Sequence, residues 1–342
     1  MLVMMSRAPL VAVLVLLSAC AVTRNPATAF TVGEVQEATL RHHIDTLCAF
    51  GPRPAGYEEA TKKTLEYLET QLRSYGYEPQ RESFGCYVRH YVREVDDKGT
   101  VAFAMTMKSS VQHNLIAERA GATKDAAVIE IGAHYDTVPW GPGADDNTSG
   151  VAALLEAARL LADKPTEKTI RFVFFAMEEE GLIGSREHVK NLVSSGQLPE
   201  GILSIDMIGY TSDEPGSQKT PTRIPFLFWP PDVGNFLLVA GDWSSGWLGE
   251  LFEECVDAYV PELPYYSVNR LAGWFADSTR GDHHNYWQAG IPAIALVDGM
   301  DYRNPNYHLQ GDTPESLDYT FLRRNCQALV ATIFEWAGRT KE

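Results

Sequence analysis

The sequence predicts a three-layer α/β/α domain in which a mixed, largely parallel sheet is covered by helices on both faces. Short, almost continuous apolar runs alternate with amphipathic helical stretches along most of the chain, an order typical of buried parallel strands. Acidic and imidazole side chains follow several of these runs, at the sheet edge where α/β folds bind ligands. With 342 residues and 45% hydrophobic content, the chain is long enough to bury such a core. Because no repeat or linker follows residue 32, we expect one domain over residues 33–342.

The first 19 residues predict an export signal, in which Arg7 precedes an apolar run too short to span a bilayer comfortably. Residues 17–20, Leu-Ser-Ala-Cys, resemble the lipobox of bacterial lipoproteins, which implies cleavage before Cys20, acylation of that residue and a lipid anchor in the membrane. Ala21 is not the aspartate that usually retains such proteins at the inner membrane. The resemblance therefore implies an outer-membrane lipoprotein that faces the periplasm. Residues 20–32 are small and polar without a period, and predict a tether.

Charge and cysteine content limit the partners and the chemistry. The formal net charge of -16 would repel nucleic acid and anionic lipid, so we expect no nucleic-acid partner. Beyond Cys20, an even number of cysteines permits two disulfides in an oxidising envelope, with the pairing left open. These residues are Cys48, Cys86, Cys255 and Cys326. None has the paired spacing of a zinc ligand, so we assign them no catalytic role.

Helices and strands are predicted in chain order as follows. Residues 33–50 and 57–75 have apolar side chains at helical spacing and are separated by Gly51-Pro-Arg-Pro-Ala-Gly56. Alternation over residues 81–91, 101–107 and 111–117 predicts a meander or an edge hairpin. Further apolar runs predict strands at residues 169–177, 202–208, 236–240 and 291–297. The stretches between and after them predict helices at residues 182–193, 246–259, 283–289 and 317–336.

The central motif is a strand, a loop and a helix over residues 127–161. An apolar run ends in His134-Tyr-Asp136, a turn rich in glycine and proline carries Asp145 and Asp146, and a helix begins at Gly150. His134 and Asp136 are two apart in an extended segment and share one side of it, so the carboxylate can accept a proton from the imidazole. This pattern favours a metal site in which Asp136 supports the ligand His134.

Other strand ends supply further ligands to the same edge. Glu178 and Glu179 follow the strand of residues 169–177, Asp206 ends the next one, and His308 lies in a later loop. Two imidazoles and three carboxylates are the ligands that a pair of divalent zinc ions requires. Adjacent side chains diverge, so one glutamate can bind metal while its neighbour faces the reacting water as a general base.

Five motifs make the prediction specific. HYD, GADDNTSG, MEEEGLIGS, SIDMIG and NYHLQGDT resemble, in order and context, the metal motifs of the M28 family of zinc aminopeptidases. The similarity covers roughly residues 35–340. It implies two Zn²⁺ ions, peptide substrates and a set of residues with the following roles. Asp146 bridges the ions, Glu179 and His308 complete one site, His134 and Asp206 complete the other, Glu178 is the base and Asp136 the orienting acid.

The family implies metal-assisted hydrolysis at the amino terminus of peptides. Zinc lowers the pKa of a bound water toward about 7, and Glu178 takes the proton and later delivers it to the departing amine. Aromatic side chains near the site predict a hydrophobic substrate pocket, and Arg303 is expected to support the His308 loop or to contact substrate. The pocket candidates are Trp274, Tyr286 and Tyr307. Residues 211–234, with five prolines, predict either a packed excursion or a flap beside the site.

The sequence departs from the family pattern in one motif, and it leaves alternative functions to be considered. The family often has Ser-Asp-His before its last strand, whereas this chain has Gly281-Asp282-His283 and lacks that hydroxyl. A glutaminyl cyclase on the same scaffold is one alternative, although its last histidine typically follows tryptophan rather than Tyr307. The M20 metallopeptidases carry a lid domain for which the segment between Asp206 and His308 has no room. A metal-free binding module is disfavoured because all five ligands are present.

Overall fold

The predicted fold class is confirmed by the computed structural model, which describes residues 22–95, 101–220, 223 and 229–338. Within these residues eight helices surround one mixed sheet of eight strands. The helices are α1 (Pro26–Gly33), α2 (Glu37–Ala49), α3 (Glu58–Ser74), α4 (Gly150–Leu161), α5 (Ile183–Ser195), α6 (Gly246–Tyr259), α7 (His283–Gln288) and α8 (Tyr319–Ala337). The strands are β1 (Gln80–Val95), β2 (Val101–Arg119), β3 (Val128–His134), β4 (Thr169–Phe175), β5 (Ile202–Ile205), β6 (Leu237–Gly241), β7 (Tyr265–Val268) and β8 (Ala293–Val297).

The strand order, β1-β2-β4-β3-β5-β8-β6-β7, places the strands of the central motif in the middle of the sheet. Strands β4, β3, β5 and β8 run parallel, and β6 and β7 are parallel to each other but antiparallel to β8. In the parallel pair β3 and β4, His134 lies opposite Phe175. The carboxyl ends of β4, β3 and β5 therefore meet at one edge, where ligands bind in open α/β sheets.

Alternating side chains explain why residues 172–175 of β4 are all apolar. Phe172 and Phe174 are fully buried in the larger core, which also contains residues of α2, α4, α6 and α8. Val173 and Phe175 point to the other face and pack in a second core with residues of α5 and with Tyr286. Both faces of the sheet are thus covered here, which accounts for consecutive apolar residues in this part of β4 rather than an alternating pattern.

Strands β1 and β2 form a hairpin longer than predicted. They pair from Gln80 opposite Ile116 to Val95 opposite Val101, so the two predicted segments 101–107 and 111–117 are one strand. Only residues 115–119 of β2 pair with β4, so within the described residues most of the hairpin has no neighbouring strand on that side. The edge strand β7 is not predicted by the sequence, because four residues are too few to show a period.

The amino-terminal prediction needs a correction. Residues 26–33 form helix α1 instead of a tether: Pro26 is at its first turn and Asn25 accepts a hydrogen bond from the Ala27 amide. Thr28 is buried and donates a hydrogen bond to Glu335 of α8, which attaches α1 to the domain. The predicted signal segment 1–19 and Cys20 lie outside the described residues. No helix in the described part of the chain is both long and apolar enough to cross a membrane.

The four described cysteines are free thiols, so the two disulfides that their number permits are not formed. Cys48, Cys255 and Cys326 are buried in the helical layer, where each acts as a small apolar side chain. Burial raises the pKa of Cys48 to about 11 and that of Cys255 to about 12, which keeps both thiols protonated and unreactive.

A buried charge cluster joins the hairpin to the second core. Glu130 of β3 is fully buried and accepts hydrogen bonds from Arg171 at 2.6 Å and from the Tyr286 hydroxyl at 2.8 Å. His188 of α5 lies 2.9 Å from Glu82 and 3.4 Å from Glu130. Burial opposes protonation of this histidine, but the two carboxylates raise its pKa to about 9. His188 is therefore a structural cation remote from the strand-end ligands.

Candidate metal centre

Strand ends and two loops bring the five predicted ligands and Glu178 together. His134 ends β3, Glu178 and Glu179 follow β4, and Asp206 follows β5. Nε2 of His134 lies 3.3 Å from Oδ1 of Asp206 and 4.0 Å from Oε2 of Glu178. Ligand atoms of these three residues all lie within 4.8 Å of one another, and the same is true of Asp146, Glu179 and His308. The edge thus carries two adjacent clusters, each with one imidazole and two carboxylates.

Asp146 lies between the clusters. Its Oδ1 is 3.3 Å from Nε2 of His134, and its Oδ2 is 3.1 Å from Nε2 of His308. Nε2 of His308 is also 3.0 Å from Oε2 of Glu179. One carboxylate therefore presents one oxygen to each histidine, which is the arrangement expected of a residue that spans two cations.

Comparison with known proteins identifies the family. The model of peptidase family M28 matches residues 114–230. The chain is 34% identical to YfbL of Escherichia coli over 236 residues, which cover 65% of this chain and 70% of YfbL. The chain belongs to peptidase family M28. This membership confirms the predicted family and, at the level of the family, the predicted activity of a zinc-dependent exopeptidase.

Two further comparisons extend this result. The M28 chain is 31% identical over 254 residues to the probable lipoprotein aminopeptidase LpqL of Mycobacterium tuberculosis, covering 66% of this chain and 46% of LpqL. Its fold resembles that of BSAP, a zinc aminopeptidase from Bacillus subtilis, with a TM-score of 0.71 and 18% identity. That superposition covers 90% of this chain and 96% of BSAP, and it confirms the fold.

Several carboxylates lie close together in the M28 site, and their burial and mutual repulsion shift the pKa values of its residues. Burial raises the pKa of Glu178 well above its ordinary value, and Asp206 and Glu179 raise it further against the opposing effect of His134. Burial, together with Asp146, raises the pKa of Glu179 to about 7. Burial disfavours the charged form of His308, but hydrogen bonds to Asp146 and Glu179 raise its pKa to about 10. A positive charge placed among these acids would favour their ionised forms and offset the effect of burial.

The donor set fits zinc. Imidazole and carboxylate are zinc ligands, and each cluster offers both. Oε1 of Glu179 is buried and has no hydrogen-bond partner within the described residues. A buried carboxylate oxygen is normally paired, so this one is an unsatisfied acceptor that a cation would satisfy.

Asp136 does more than the sequence predicts. Its Oδ1 lies 3.5 Å from Nδ1 of His134, and its backbone carbonyl lies 3.2 Å from the same nitrogen. Its carboxylate also accepts hydrogen bonds from the backbone amides of Glu178 at 3.1 Å and Glu179 at 3.3 Å. Asp136 therefore holds the end of β3 and the segment after β4 in one arrangement.

Two residues that the sequence analysis did not single out position Asp146. The carboxylate of Asp312 accepts hydrogen bonds from the amides of Asp145 at 2.8 Å and Asp146 at 3.1 Å. Asn147 donates to the Ile205 carbonyl at 2.8 Å and accepts from the Met207 amide at 3.1 Å, on either side of Asp206. The motif NYHLQGDT contains Asp312. However, an acid that binds backbone amides has no fixed distance in sequence from its partners, so the sequence alone does not reveal its role.

Arg53 is the third residue that the sequence analysis missed. Although only 1% exposed, it donates hydrogen bonds to the Thr148 hydroxyl at 2.6 Å, the Tyr135 carbonyl at 3.0 Å and the Pro142 carbonyl at 3.0 Å. Its own amide donates to the Thr137 hydroxyl at 2.8 Å. Arg53 thus connects the backbone on both sides of the loop that carries Asp146.

Backbone strain marks the same edge. Met177 precedes Glu178, Met207 follows Asp206, and His308 is itself a ligand candidate; all three have φ between 55° and 58°. Side chains other than glycine adopt this left-handed region rarely and at a cost, and such residues cluster at functional sites. Surrounding contacts must therefore hold these three conformations.

Two cavities flank the M28 centre. The larger, of about 530 Å³, lies beside Asp206 and is lined largely by apolar side chains such as Phe236, Val268 and Val297. Gln218, Lys219, Thr220 and Pro230 also line it, so the described part of segment 211–234 lies beside the site. The smaller, of about 190 Å³, is lined by Asp136, Glu179 and His308.

The predicted pocket residues have different positions. Trp274 lines the larger cavity and is 75% exposed, and Tyr307 stacks on His308 with ring centroids 3.8 Å apart. Tyr286 lines neither cavity, so its assignment to the pocket is wrong: it is buried in the second core because its hydroxyl binds Glu130. Arg303 is buried and donates hydrogen bonds to Gln218 and to the Phe236 carbonyl, both at 2.7 Å, so it supports the wall of the larger cavity.

Proposed function

We propose that this M28 peptidase removes the amino-terminal residue from peptides with a centre of two zinc ions. The observation that carries the proposal is the placement of Asp146, with one carboxylate oxygen toward His134 and the other toward His308. His134 and Asp206 would hold one ion, Glu179 and His308 the other, and Asp146 would bind both. Bound zinc lowers the pKa of water and polarises a carbonyl, which is the chemistry that amide hydrolysis requires.

Glu178 is the proposed general base. It lies among the ligands, and its side chain keeps 11% of its surface exposed, so it can reach a water in the site. It takes the proton of the water as the new carbon–oxygen bond forms, and it delivers that proton to the amine as the carbon–nitrogen bond breaks. Asp136 fixes its position through the Glu178 amide and orients the His134 ring.

The larger cavity is the proposed pocket for the side chain of the amino-terminal residue. It begins at Asp206, and its apolar lining favours leucine, methionine or aromatic side chains. Asp206 and the neighbouring acids would attract the free α-amino group of the substrate. A substrate placed in this way has its first peptide bond, and no later one, beside Glu178.

Zinc content and hydrolysis together test this function. We expect two zinc ions per chain, hydrolysis of leucine p-nitroanilide, and loss of that hydrolysis in a chelator with recovery on adding zinc. We expect His308→Ala and Asp206→Ala each to retain about one ion, because each removes a ligand from one cluster only. Turnover restricted to amino-terminal glutamine would identify a cyclase instead, and zinc-free protein without turnover would identify a binding module.

We further propose that the mature protein begins at an acylated Cys20 and is anchored in the outer membrane. The lipobox supports this, as does the similarity to LpqL, whose name describes a probable lipoprotein. Because the Val22 amide already donates a hydrogen bond to Glu254 of α6, the anchor would lie close to the domain. We expect Cys20→Ser to abolish palmitate labelling and membrane sedimentation in the natural host, whereas Cys86→Ser, on the hairpin, should change neither. Labelled Cys20→Ser protein would refute the anchor.

A further inference from the structure

An arginine borders the smaller cavity. Arg89 lies in the part of β1 that extends beyond β4, opposite Met107 of β2. Its side chain is 49% exposed, and Nε lies 3.4 Å from Oε2 of Glu180. Within the described residues that line this cavity, Arg89 is the only lysine or arginine. The other charged residues there are Asp136, Glu179, Glu180 and His308.

The position of this cavity determines which part of a bound peptide Arg89 would contact. The larger cavity adjoins Asp206 in one cluster, and the smaller one adjoins Glu179 and His308 in the other. This inference rests on the proposed function, in which the first side chain occupies the larger cavity. The part of the peptide that leaves as the amine then extends into the smaller cavity, between Arg89 and Trp140, which is 52% exposed.

We propose that Arg89 is a specificity-determining residue that binds a carboxylate on the leaving side of the substrate. A guanidinium matches a carboxylate with two parallel hydrogen bonds, a match that neutral substrates do not offer. The contact with Glu180 does not compete strongly, because it is long and the arginine is half exposed. The carboxylate is either the carboxyl terminus of a dipeptide or the side chain of aspartate or glutamate in the second position.

Matched substrates distinguish these sources. For the zinc-loaded protein, kcat/KM is measured for leucyl-alanine against its amide, and for leucyl-aspartate amide against leucyl-asparagine amide. We expect at least one carboxylate substrate to be preferred by about tenfold, the effect of one charge-assisted hydrogen bond. A preference within the first pair indicates recognition of a carboxyl terminus, and a preference within the second indicates recognition of an acidic side chain. Most of the preference should appear in KM, because the contact is present before and during the reaction.

Variants assign the preference to Arg89. We expect Arg89→Gln to bring the ratio close to one and Arg89→Lys to retain part of it. Arg81→Gln is the matched control, since Arg81 is on the same strand but pairs with Glu69 away from the cavity, and its ratio should equal that of the parent protein. Equal kcat/KM for both members of each pair, or a preference that survives Arg89→Gln, would overturn this inference while leucine p-nitroanilide is still cleaved. Absence of turnover on every substrate, the anilide included, would instead overturn the proposed function and this inference with it.

Discussion

Replacing Glu178 by glutamine is expected to leave two zinc ions bound and to reduce kcat by about 10³-fold. Glutamine has nearly the same shape as glutamate but cannot take a proton from water. The amide of residue 178 would still donate to Asp136, so the segment after β4 should keep its position. The loss should therefore lie in kcat, with little change in zinc content or in the free energy of unfolding.

Glu187→Gln is the matched control for this substitution. Glu187 is on α5, pairs with Lys190 at 3.0 Å and belongs to neither cluster, so its variant should keep the parent kcat. The measurement combines kcat on leucine p-nitroanilide with zinc determined by atomic emission. If Glu178→Gln loses an ion, Glu178 is a ligand, which its place beside His134 and Asp206 permits. If it retains substantial activity, another group is the base.

The convergence of His134, Asp136, Glu178 and Asp206 could be predicted from the sequence. Each of these residues follows an apolar run, and runs buried on both faces of a parallel sheet end at one edge. The structure places them there, because β3 is paired with both β4 and β5. His308 is different: it lies in a loop rather than at a strand end, so its place depends on the count of ligands and on the resemblance of its loop to the family motif.

Residues that bind the backbone could not be predicted in this way. Arg53 and Asp312 have backbone carbonyls or amides among their partners, and every residue but proline supplies both groups. Because a backbone group can belong to any residue type, no spacing in the sequence identifies a residue that binds one. Helix α1 was missed for a related reason, since its short, weakly amphipathic sequence is helical mainly because it packs on α8.

Tyr286 shows that a residue close in sequence to the site does not necessarily line the substrate pocket. It lies in α7, four residues after Asp282, and an aromatic residue there was predicted to line the pocket. The ring instead enters the second core, where Glu130 requires hydrogen-bond donors at a fully buried position. The hydrogen bond from the Tyr286 hydroxyl to Glu130, a residue of β3, therefore accounts for the orientation of Tyr286.

The loop that carries Asp146 is held from three sides. Asp312 binds the amides of residues 145 and 146, Asn147 ties the loop to the end of β5, and Arg53 binds Thr148. A carboxylate that faces two histidines must be placed within a fraction of an ångström, and a loop alone does not provide that precision. These three attachments therefore belong to the metal centre although none touches its ligand atoms.

Arg53→Met is expected to lower the free energy of unfolding by about 3 kcal/mol, because it leaves buried acceptors without donors. Those acceptors are the Thr148 hydroxyl and the carbonyls of Tyr135 and Pro142. Burial lowers the pKa of Arg53, which shows that enclosing this charge has a cost, and methionine removes that cost. The net loss is therefore smaller than the sum over the broken hydrogen bonds. Urea unfolding of the zinc-free protein measures it without the contribution of bound metal.

The same substitution should also weaken the metal centre. Without the guanidinium, Thr148 and the backbone before Asp136 lose their common partner, so Asp146 is no longer held between the histidines. We expect the folded variant to bind zinc less tightly, with the affinity measured by competition against a chelator. Arg73→Met is the control, because Arg73 is 54% exposed on α3 and its pair with Glu69 contributes at most about 0.5 kcal/mol. A variant of Arg53 that unfolds earlier but binds zinc with the parent affinity would make Arg53 a residue of the core alone, and Asp312 and Asn147 would then be sufficient to place Asp146.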